Sequence, residues 1–313
     1  MKKVRVVFMG TPEFAVPVVE GLIENYEVVL IVSQPDKKVG RHQQLTNTPV
    51  KEVAIKNNIP CFQPEKIKDS YEEVLKYKPE MIVTCAYGQI IPKEILDFPV
   101  YGCINVHASL LPKLRGGAPI HKAIIDGYSK TGITIMYMDV NMDSGDIISQ
   151  CETPIVDSDN LESVHDRLSI MGRDLLLKTM PSIIDSTNCR IKQNVDEVTY
   201  AFNIRRDEEH IDFNKTKREV FNLIRGLSPT PGAFVLLDNQ EMKIYSSVIS
   251  DRTFNSKKIG EITGLYKNGI GVNCQDGEII LTVIKPFGKK KMEASSYING
   301  LQNKEKMIGK VLL

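Results

Sequence analysis

Apolar positions along the chain fall into short β-rich runs that alternate with helical spacings. Val4-Arg5-Val6-Val7-Phe8-Met9 is a strand-like run closed by Gly10, and Thr11-Pro12-Glu13 then offers an N-cap, a first-turn proline and a first-turn acid. Phe14, Val18, Val19 and Leu22 recur at helical spacing as far as Asn25, and Glu27 to Val32 is the next strand-like run. This is a β-α-β unit. The alternation predicts helices near 49–57, 70–77 and 92–97 and strands at 81–84 and 103–106. Strands alternating with helices imply a mostly parallel sheet covered on both faces, with its site outside the carboxyl ends of the strands.

From residue 132 to 153 the pattern changes to two apolar runs, 133–138 and 146–148, joined by Asn141-Met142-Asp143-Ser144-Gly145, which predicts a hairpin-like return. A long amphipathic helix is expected over 160–185, with Leu161, Val164, Leu168, Met171, Leu175 and Met180 on one face. The polar stretch that follows, 185–199, is expected to be a linker. After a helix at 215–226, short β runs at 233–237, 242–248, 259–266, 270–274 and 278–285 predict a small barrel. The expected fold class is α/β: a Rossmann-like, mostly parallel sheet in an amino-terminal domain (1–188), a linker (189–204), and a small OB-like β-barrel domain (205–313).

Length and composition agree. The chain has 313 residues, room for two domains at roughly 150 residues each, and is 42% apolar and 25% charged. No stretch approaches the roughly 18 uncharged apolar residues that would span a bilayer, so no membrane partner is expected. The apolar run after Met1-Lys2-Lys3 is too short for an export segment, and a cytoplasmic location is expected. Six cysteines (61, 85, 103, 151, 189 and 274) form no CxxC pair, which points to buried free thiols. Charge is uneven: residues 1–204 hold 22 Lys and Arg against 26 Asp and Glu, whereas 205–313 hold 18 against 13. The basic last third hints at an anionic partner, although a solvated surface has the same composition.

The strongest chemical pattern is Asn105-Val106-His107-Ala108-Ser109-Leu110-Leu111-Pro112. Asn, His and Ser at every second position of an extended chain project to one side, here at the carboxyl end of an apolar strand. Taken as an isolated pair, Asn105 and His107 read equally as a capping amide and a half-buried ring. Their position favours chemistry. A histidine needs a carboxylate to orient its ring, and the turn Asp143-Ser144-Gly145-Asp146 offers two. An amide that donates to an oxyanion and a histidine that moves protons suit acyl transfer without a covalent nucleophile. Gly10-Thr11-Pro12 is not GxGxxG, which argues against a nicotinamide enzyme, and His121, His165 and His210 are not grouped at metal-ligand spacings, so no metal is expected.

These motifs resemble the methionyl-tRNA formyltransferase family of folate-dependent formyltransferases. The resemblance runs through Phe8-Met9-Gly10-Thr11-Pro12-Glu13-Phe14-Ala15, Ser33-Gln34-Pro35-Asp36, Ala86-Tyr87-Gly88-Gln89-Ile90-Ile91-Pro92, the string from Asn105 to Gly116, Met142-Asp143-Ser144-Gly145-Asp146, and Leu227-Ser228-Pro229-Thr230-Pro231-Gly232-Ala233. It implies transfer of a formyl group from 10-formyltetrahydrofolate, the co-substrate, to the α-amino group of methionine on initiator methionyl-tRNA. By resemblance the catalytic residues are Asn105, His107 and Asp143, and the folate-binding residues are Ser109, Leu110, Leu111 and Pro112 together with Ala86, Tyr87, Gly88, Gln89, Ile90 and Ile91. The implied mechanism is direct attack of the amine on the formyl carbon. Asn105 and protonated His107 would stabilise the oxyanion, Asp143 would hold the charged ring, and His107 with ordered water would pass a proton to the departing folate nitrogen.

The resemblance also implies tRNA contacts at Lys37, Lys38 and Arg41, in the long polar segment 33–49, and at Lys289, Lys290 and Lys291. The first domain would then be the folate-binding catalytic domain and the last the tRNA-binding one. The chain departs from the family at Gly40-Arg41-His42-Gln43-Gln44, where Gly-Arg-Gly-x-Lys is usual, at Thr230, where Trp is frequent, and at Phe202-Asn203, where a Lys often follows Tyr-Ala. Other readings are a 10-formyltetrahydrofolate hydrolase, an amino-sugar N-formyltransferase, and an RNA-binding protein on a dead enzyme. The expected state is a monomer.

Overall fold

A computed structural model describes residues 3–39, 43–254 and 256–313. The chain divides into two compact units, one of residues 1–119, 130–154 and 165–202, the other of residues 120–129, 155–164 and 203–313.

In the first unit, β1 (Arg5–Gly10), α1 (Val16–Asn25) and β2 (Glu27–Val32) are followed by β3 (Lys37–Val39), β4 (Gln44–Thr46), α2 (Pro49–Lys56) and β5 (Cys61–Phe62). Then come α3 (Tyr71–Leu75), β6 (Met81–Cys85), α4 (Lys93–Leu96) and β7 (Cys103–His107). After α5 (Pro119–Ile125), which falls almost wholly in the second unit, follow β8 (Lys130–Tyr137), β9 (Ile147–Pro154) and α6 (Leu161–Ile184). The seven-stranded sheet runs β5-β2-β1-β6-β7-β8-β9. Its first five strands are parallel, β8 is antiparallel to β7, and β9 is antiparallel to β8. Val6, Val7, Phe8 and Met9 are wholly buried, as a central strand covered on both faces requires. The chain leaves β1 toward β2 on one side and returns as β6 on the other, so the strand order reverses at β1/β6, and the carboxyl ends of β1, β6 and β7 are neighbours.

Three local expectations change. The helix after β1 is not capped by Thr11: a 3₁₀ turn covers Glu13–Ala15 and α1 starts at Val16, with Pro17 in its first turn. A proline lacks the N–H that the helix interior uses, so Pro17 sets the start. The long polar segment 33–49, for which the hydrophobic pattern predicts no strand, holds two short ones: β3 and β4 pair antiparallel with Lys37 opposite Thr46 and Lys38 opposite Leu45. Its base is held by a 2.7 Å hydroxyl pair between Ser33 and Thr48 and by Asp36, which accepts from Gln63 Nε2 (2.7 Å) and from Lys51. Those two donors hold the Asp36 carboxyl below its usual range. The cysteines are all free, but only Cys85, Cys103 and Cys274 are buried; Cys61 and Cys151 are half-buried and Cys189 is exposed.

In the second unit, α7 (Lys217–Gly226) precedes β10 (Ala233–Leu237), β11 (Gln240–Ile249), β12 (Ile262–Tyr266), β13 (Gly269–Cys274), β14 (Gly277–Lys285), β15 (Met292–Glu293) and α8 (Ala294–Asn299). The antiparallel sheet runs β10-β11-β14-β13-β12, with β15 on β14. The last residues join its two ends. Ile262 N donates to Lys310 O (2.8 Å) and Leu312 N to Gly260 O (2.9 Å), while Leu313 and Leu236 exchange bonds of 3.0 and 2.6 Å. Inside lie Val235, Ile244, Ile262, Val272, Ile279 and Leu281 from the sheet and Val220 and Ile224 from α7, four residues apart on one helical face.

Helix α7 opens with a capping box. Thr216 Oγ1 accepts from the Glu219 amide (3.2 Å), and the Glu219 carboxylate accepts from the Thr216 amide (2.9 Å). Thr216→Ala is expected to lower stability in denaturant unfolding by about 1 kcal/mol, and Thr216→Ser to recover most of it.

Candidate active site

The three chemical residues singled out in the sequence meet at the carboxyl end of β7. Asn105 lies opposite Thr84 of β6 in the parallel register, and the Thr84 hydroxyl donates to Asn105 Oδ1 at 2.8 Å. This uses the amide's acceptor and leaves Nδ2 with two protons to donate elsewhere. His107, two residues on and therefore on the same side of the strand, is buried. Its Nε2 is 3.1 Å from the Leu114 carbonyl, which only accepts, so Nε2 carries a proton. Its Nδ1 faces Asp143 Oδ1 at 3.7 Å, an ion-pair separation longer than a hydrogen bond. Both ring nitrogens thus face oxygen atoms, Nε2 within hydrogen-bond distance and Nδ1 beyond it.

Of the two carboxylates in the turn, Asp143 faces the histidine, whereas Asp146 pairs with Arg190 Nε at 3.0 Å. The other oxygen of Asp143 accepts from the Gly116 amide at 2.8 Å. One short strap, 114–116, therefore holds the ring through the Leu114 carbonyl and the carboxylate through the Gly116 amide. The strap is itself fixed by residues 199–201: Leu114 N donates to Thr199 Oγ1 (2.9 Å), Arg115 N to Thr199 O (2.9 Å) and Ala201 N to Arg115 O (2.7 Å). Gly116, at φ +120°, lets the two backbones meet, since a Cβ there would lie 2.7 Å from Ala201 O.

Gln193 completes the frame. Its Nε2 donates to the carbonyls of Asp143 and Gly145 at 2.8 Å each, and its Oε1 accepts from Nε and Nη2 of the buried Arg115 at 3.0 and 2.7 Å. The turn is tight. Asp143 has φ +49°, and a Cβ on Gly145 would stand 1.9 Å from the Tyr137 carbonyl. The segment expected as a linker, 189–204, thus carries a residue that shapes the site. Thr84, Arg115 and Gln193 were not singled out for a role in the sequence. Arg115 only closed a motif, and Gln193 sat in a polar stretch without periodicity.

The residues carried over as folate-binding divide by exposure. Ala86, Gly88 and Ile90 are exposed, Ile90 to 84%, and Gln89 is half-buried with Oε1 accepting from the Ile67 amide at 2.8 Å. Tyr87 and Ile91 point into the core of the first unit, and burial pushes the Tyr87 hydroxyl up. The Tyr87 carbonyl accepts from Thr11 Oγ1 and Gln34 Nε2 at 3.1 Å each, tying together the loops after β1, β2 and β6. Ser109 Oγ donates to Lys113 O (2.7 Å), and Leu111 is buried with Met136 and Ile147. Leu110 and Pro112 are half-buried.

Lys37 and Lys38 are exposed on β3, Arg41 lies outside the described residues, and Lys289, Lys290 and Lys291 are exposed in the second unit after β14. Lys289 and Lys291 sit over the rings of Tyr297 and Tyr245 at 5.1 and 4.6 Å. Among the described residues no group of three His, Cys, Asp or Glu is placed to hold a metal ion, and no helix is long and apolar enough to cross a membrane.

The family model described as formyl transferase matches residues 2–180, and that of the formyl transferase C-terminal domain matches residues 203–302. A methionyl-tRNA formyltransferase of Staphylococcus epidermidis is 48% identical over 312 residues, covering 99% of both chains. The chain belongs to the methionyl-tRNA formyltransferase family. Among solved structures, the sugar 3N-formyltransferase WlaRD, determined in the presence of dTDP and 5-N-formyl-THF, shares this family member's fold with a TM-score of 0.68 at 21% identity, over 93% of this chain and 100% of its own. HypX from Aquifex aeolicus, in complex with tetrahydrofolic acid, matches with a TM-score of 0.65 at 14% identity over 99% of this chain. The chain spans about half of HypX, 49% of its length.

Gln193→Ala removes the acceptor of a buried guanidinium and two donors of the Asp143 turn. It is expected to lower stability in denaturant unfolding by about 1–3 kcal/mol. An unfolding midpoint equal to that of the parent protein would contradict this role.

Proposed function

We propose that the chain transfers the formyl group of 10-formyltetrahydrofolate to the α-amino group of methionine on initiator methionyl-tRNA. The observation that carries this reading is the 48% identity, end to end, with a named methionyl-tRNA formyltransferase, against 21% and 14% with WlaRD and HypX. The curated relatives of Staphylococcus epidermidis and Bacillus subtilis, each 48% identical, both carry the methionyl-tRNA formyltransferase name, which favours this reading over the folate hydrolase and amino-sugar ones. Two folate-bound structural neighbours support a folate donor. The exposed Ala86, Gly88 and Ile90 beside the carboxyl end of β6 offer a surface on which a flat, partly apolar donor fits.

The chemistry follows from the geometry. An α-amino group titrates near pH 8, so a useful fraction is neutral at neutral pH and its lone pair attacks the formyl carbon without a strong base. A C–N bond forms and the formyl oxygen takes the charge. Asn105 Nδ2, its own acceptor occupied by Thr84, donates to that oxyanion, and the His107 imidazolium adds its charge. The bond from the formyl carbon to the folate nitrogen then breaks. As it breaks, the His107 imidazolium supplies a proton through ordered water to the leaving nitrogen, and the neutral ring left behind takes, by the same route, the proton of the new amide nitrogen, while Asp143 holds the ring in place.

The same reading makes the first unit the folate-binding catalytic domain and the second, with its excess of Lys and Arg, a tRNA-binding domain. Lys37, Lys38 and Arg41 in the first and Lys289, Lys290 and Lys291 in the second would meet phosphates. No step calls for a metal or a second subunit, and the reading is of a monomer that works where charged tRNA is, in the cytoplasm.

Single-turnover formylation of methionyl-tRNA tests the assignment. Asn105→Ala is expected to slow transfer by about a hundred- to a thousand-fold and His107→Ala by about a hundred- to ten-thousand-fold, with folding intact. Near-parental rates in either variant would exclude it. The lysine run is tested by salt: Lys289→Ala/Lys290→Ala/Lys291→Ala is expected to weaken tRNA binding and to flatten the plot of log K against log salt, by roughly one unit of slope for each phosphate no longer neutralised.

A further inference from the structure

Tyr200 and Phe202 form a pair that neither the core nor the proposed chemistry uses. Their rings stack at 5.5 Å between centroids with 1° between planes, and they are 54% and 63% exposed. Between them Ala201 is wholly buried, as the two-residue period of an extended segment dictates. The rings therefore leave the same side of a backbone pinned by Ala201 N to Arg115 O (2.7 Å), Ala118 N to Ala201 O (2.9 Å) and Arg115 N to Thr199 O (2.9 Å). Two parallel aromatic faces held open to solvent on a fixed backbone are poorly explained by packing, because burial of either would be favourable.

Their place matters. Tyr200 is bridged to Arg115, the neighbour of Leu114, whose carbonyl holds the His107 ring. Bridged backbones lie about 5 Å apart and successive Cα atoms about 3.8 Å, so the backbone of the pair is on the order of 10 Å from the histidine. That is within the reach of a single nucleoside carrying an esterified amino acid, with the amine at His107 and the base over the rings.

We propose that Tyr200 and Phe202 are a stacking platform for the 3′-terminal nucleobase of the aminoacylated acceptor. This rests on the tRNA reading above and adds to it the element that orients the reacting end. Every base has a π-face, so stacking fixes the position of the terminal nucleoside without reading its sequence. Discrimination among tRNAs is left to other contacts.

The test uses the full chain and an acceptor-stem RNA helix with a single-stranded CCA end whose terminal adenine is replaced by 2-aminopurine, a base whose emission is quenched on stacking. The parent protein is expected to quench the emission, Tyr200→Leu and Phe202→Leu each to lose most of the quenching, and Phe202→Tyr to keep it. In parallel, kcat/KM for methionyl-tRNA is expected to fall about 5- to 100-fold for each Leu variant, with the KM for the folate donor unchanged. Equal quenching by parent and Leu variants, or formylation by the Leu variants within about two-fold of the parent, overturns the platform. If ring-dependent quenching occurs but the parent transfers no formyl group to methionyl-tRNA, the platform stands and the tRNA-formylation reading falls. Formylation without ring-dependent quenching has the opposite meaning.

Discussion

The strap from Leu114 to Gly116 is the constraint on which the site depends. Its carbonyl at one end holds the histidine ring and its amide at the other holds the aspartate, so the relation between the two side chains is set by three residues of backbone rather than by a direct bond between them. A buried ring and a half-buried carboxylate left to themselves would relax toward whatever partners solvent or neighbours offered. Here each has its outer position taken, and the 3.7 Å between them follows from where the strap lies. The strap in turn rests on residues 199–201 and on the Arg115–Gln193 pair, which also grips the aspartate's own turn.

The sheet supplies the other half of the geometry. Parallel strands end together, so the loops after β1, β6 and β7 meet at one edge, and Thr84 and Asn105 come side by side by register. A hydroxyl that occupies the amide's acceptor turns an ambiguous side chain into a directed donor. That direction is what stabilisation of an oxyanion needs, because the donor is aimed before the charge appears and no reorganisation accompanies the reaction.

Most of this architecture is legible in the sequence. The strand and helix alternation located β1, β2, β6, β7, α2 and α6 to within a few residues, since each carries several apolar residues at a clear period. The hairpin of β3 and β4 was not legible, because three-residue strands with a single apolar residue each, Val39 and Leu45, carry no alternation to detect. Asn105 and His107 stood out through their two-residue spacing at a strand end, and Asp143 through its turn, although only the structure separates it from Asp146. Gln193 was invisible for a different reason. Its partner Arg115 is 78 residues away, and a bond at that separation leaves no local signature. Phe202 was legible as a departure from the family pattern, but its stacking on Tyr200 is a matter of backbone placement.

The central claim is the identity of the acceptor. It is tested most directly by offering one limiting pool of donor, 10-formyltetrahydrofolate labelled in its formyl carbon, to the protein together with methionyl initiator tRNA, methionyl elongator tRNA and water, and by following where the label goes. The account predicts that label accumulates rapidly as N-formylmethionine on the initiator tRNA, with little on the elongator and little as free formate. Release of the label mainly as formate, at the same rate with or without tRNA, would contradict it.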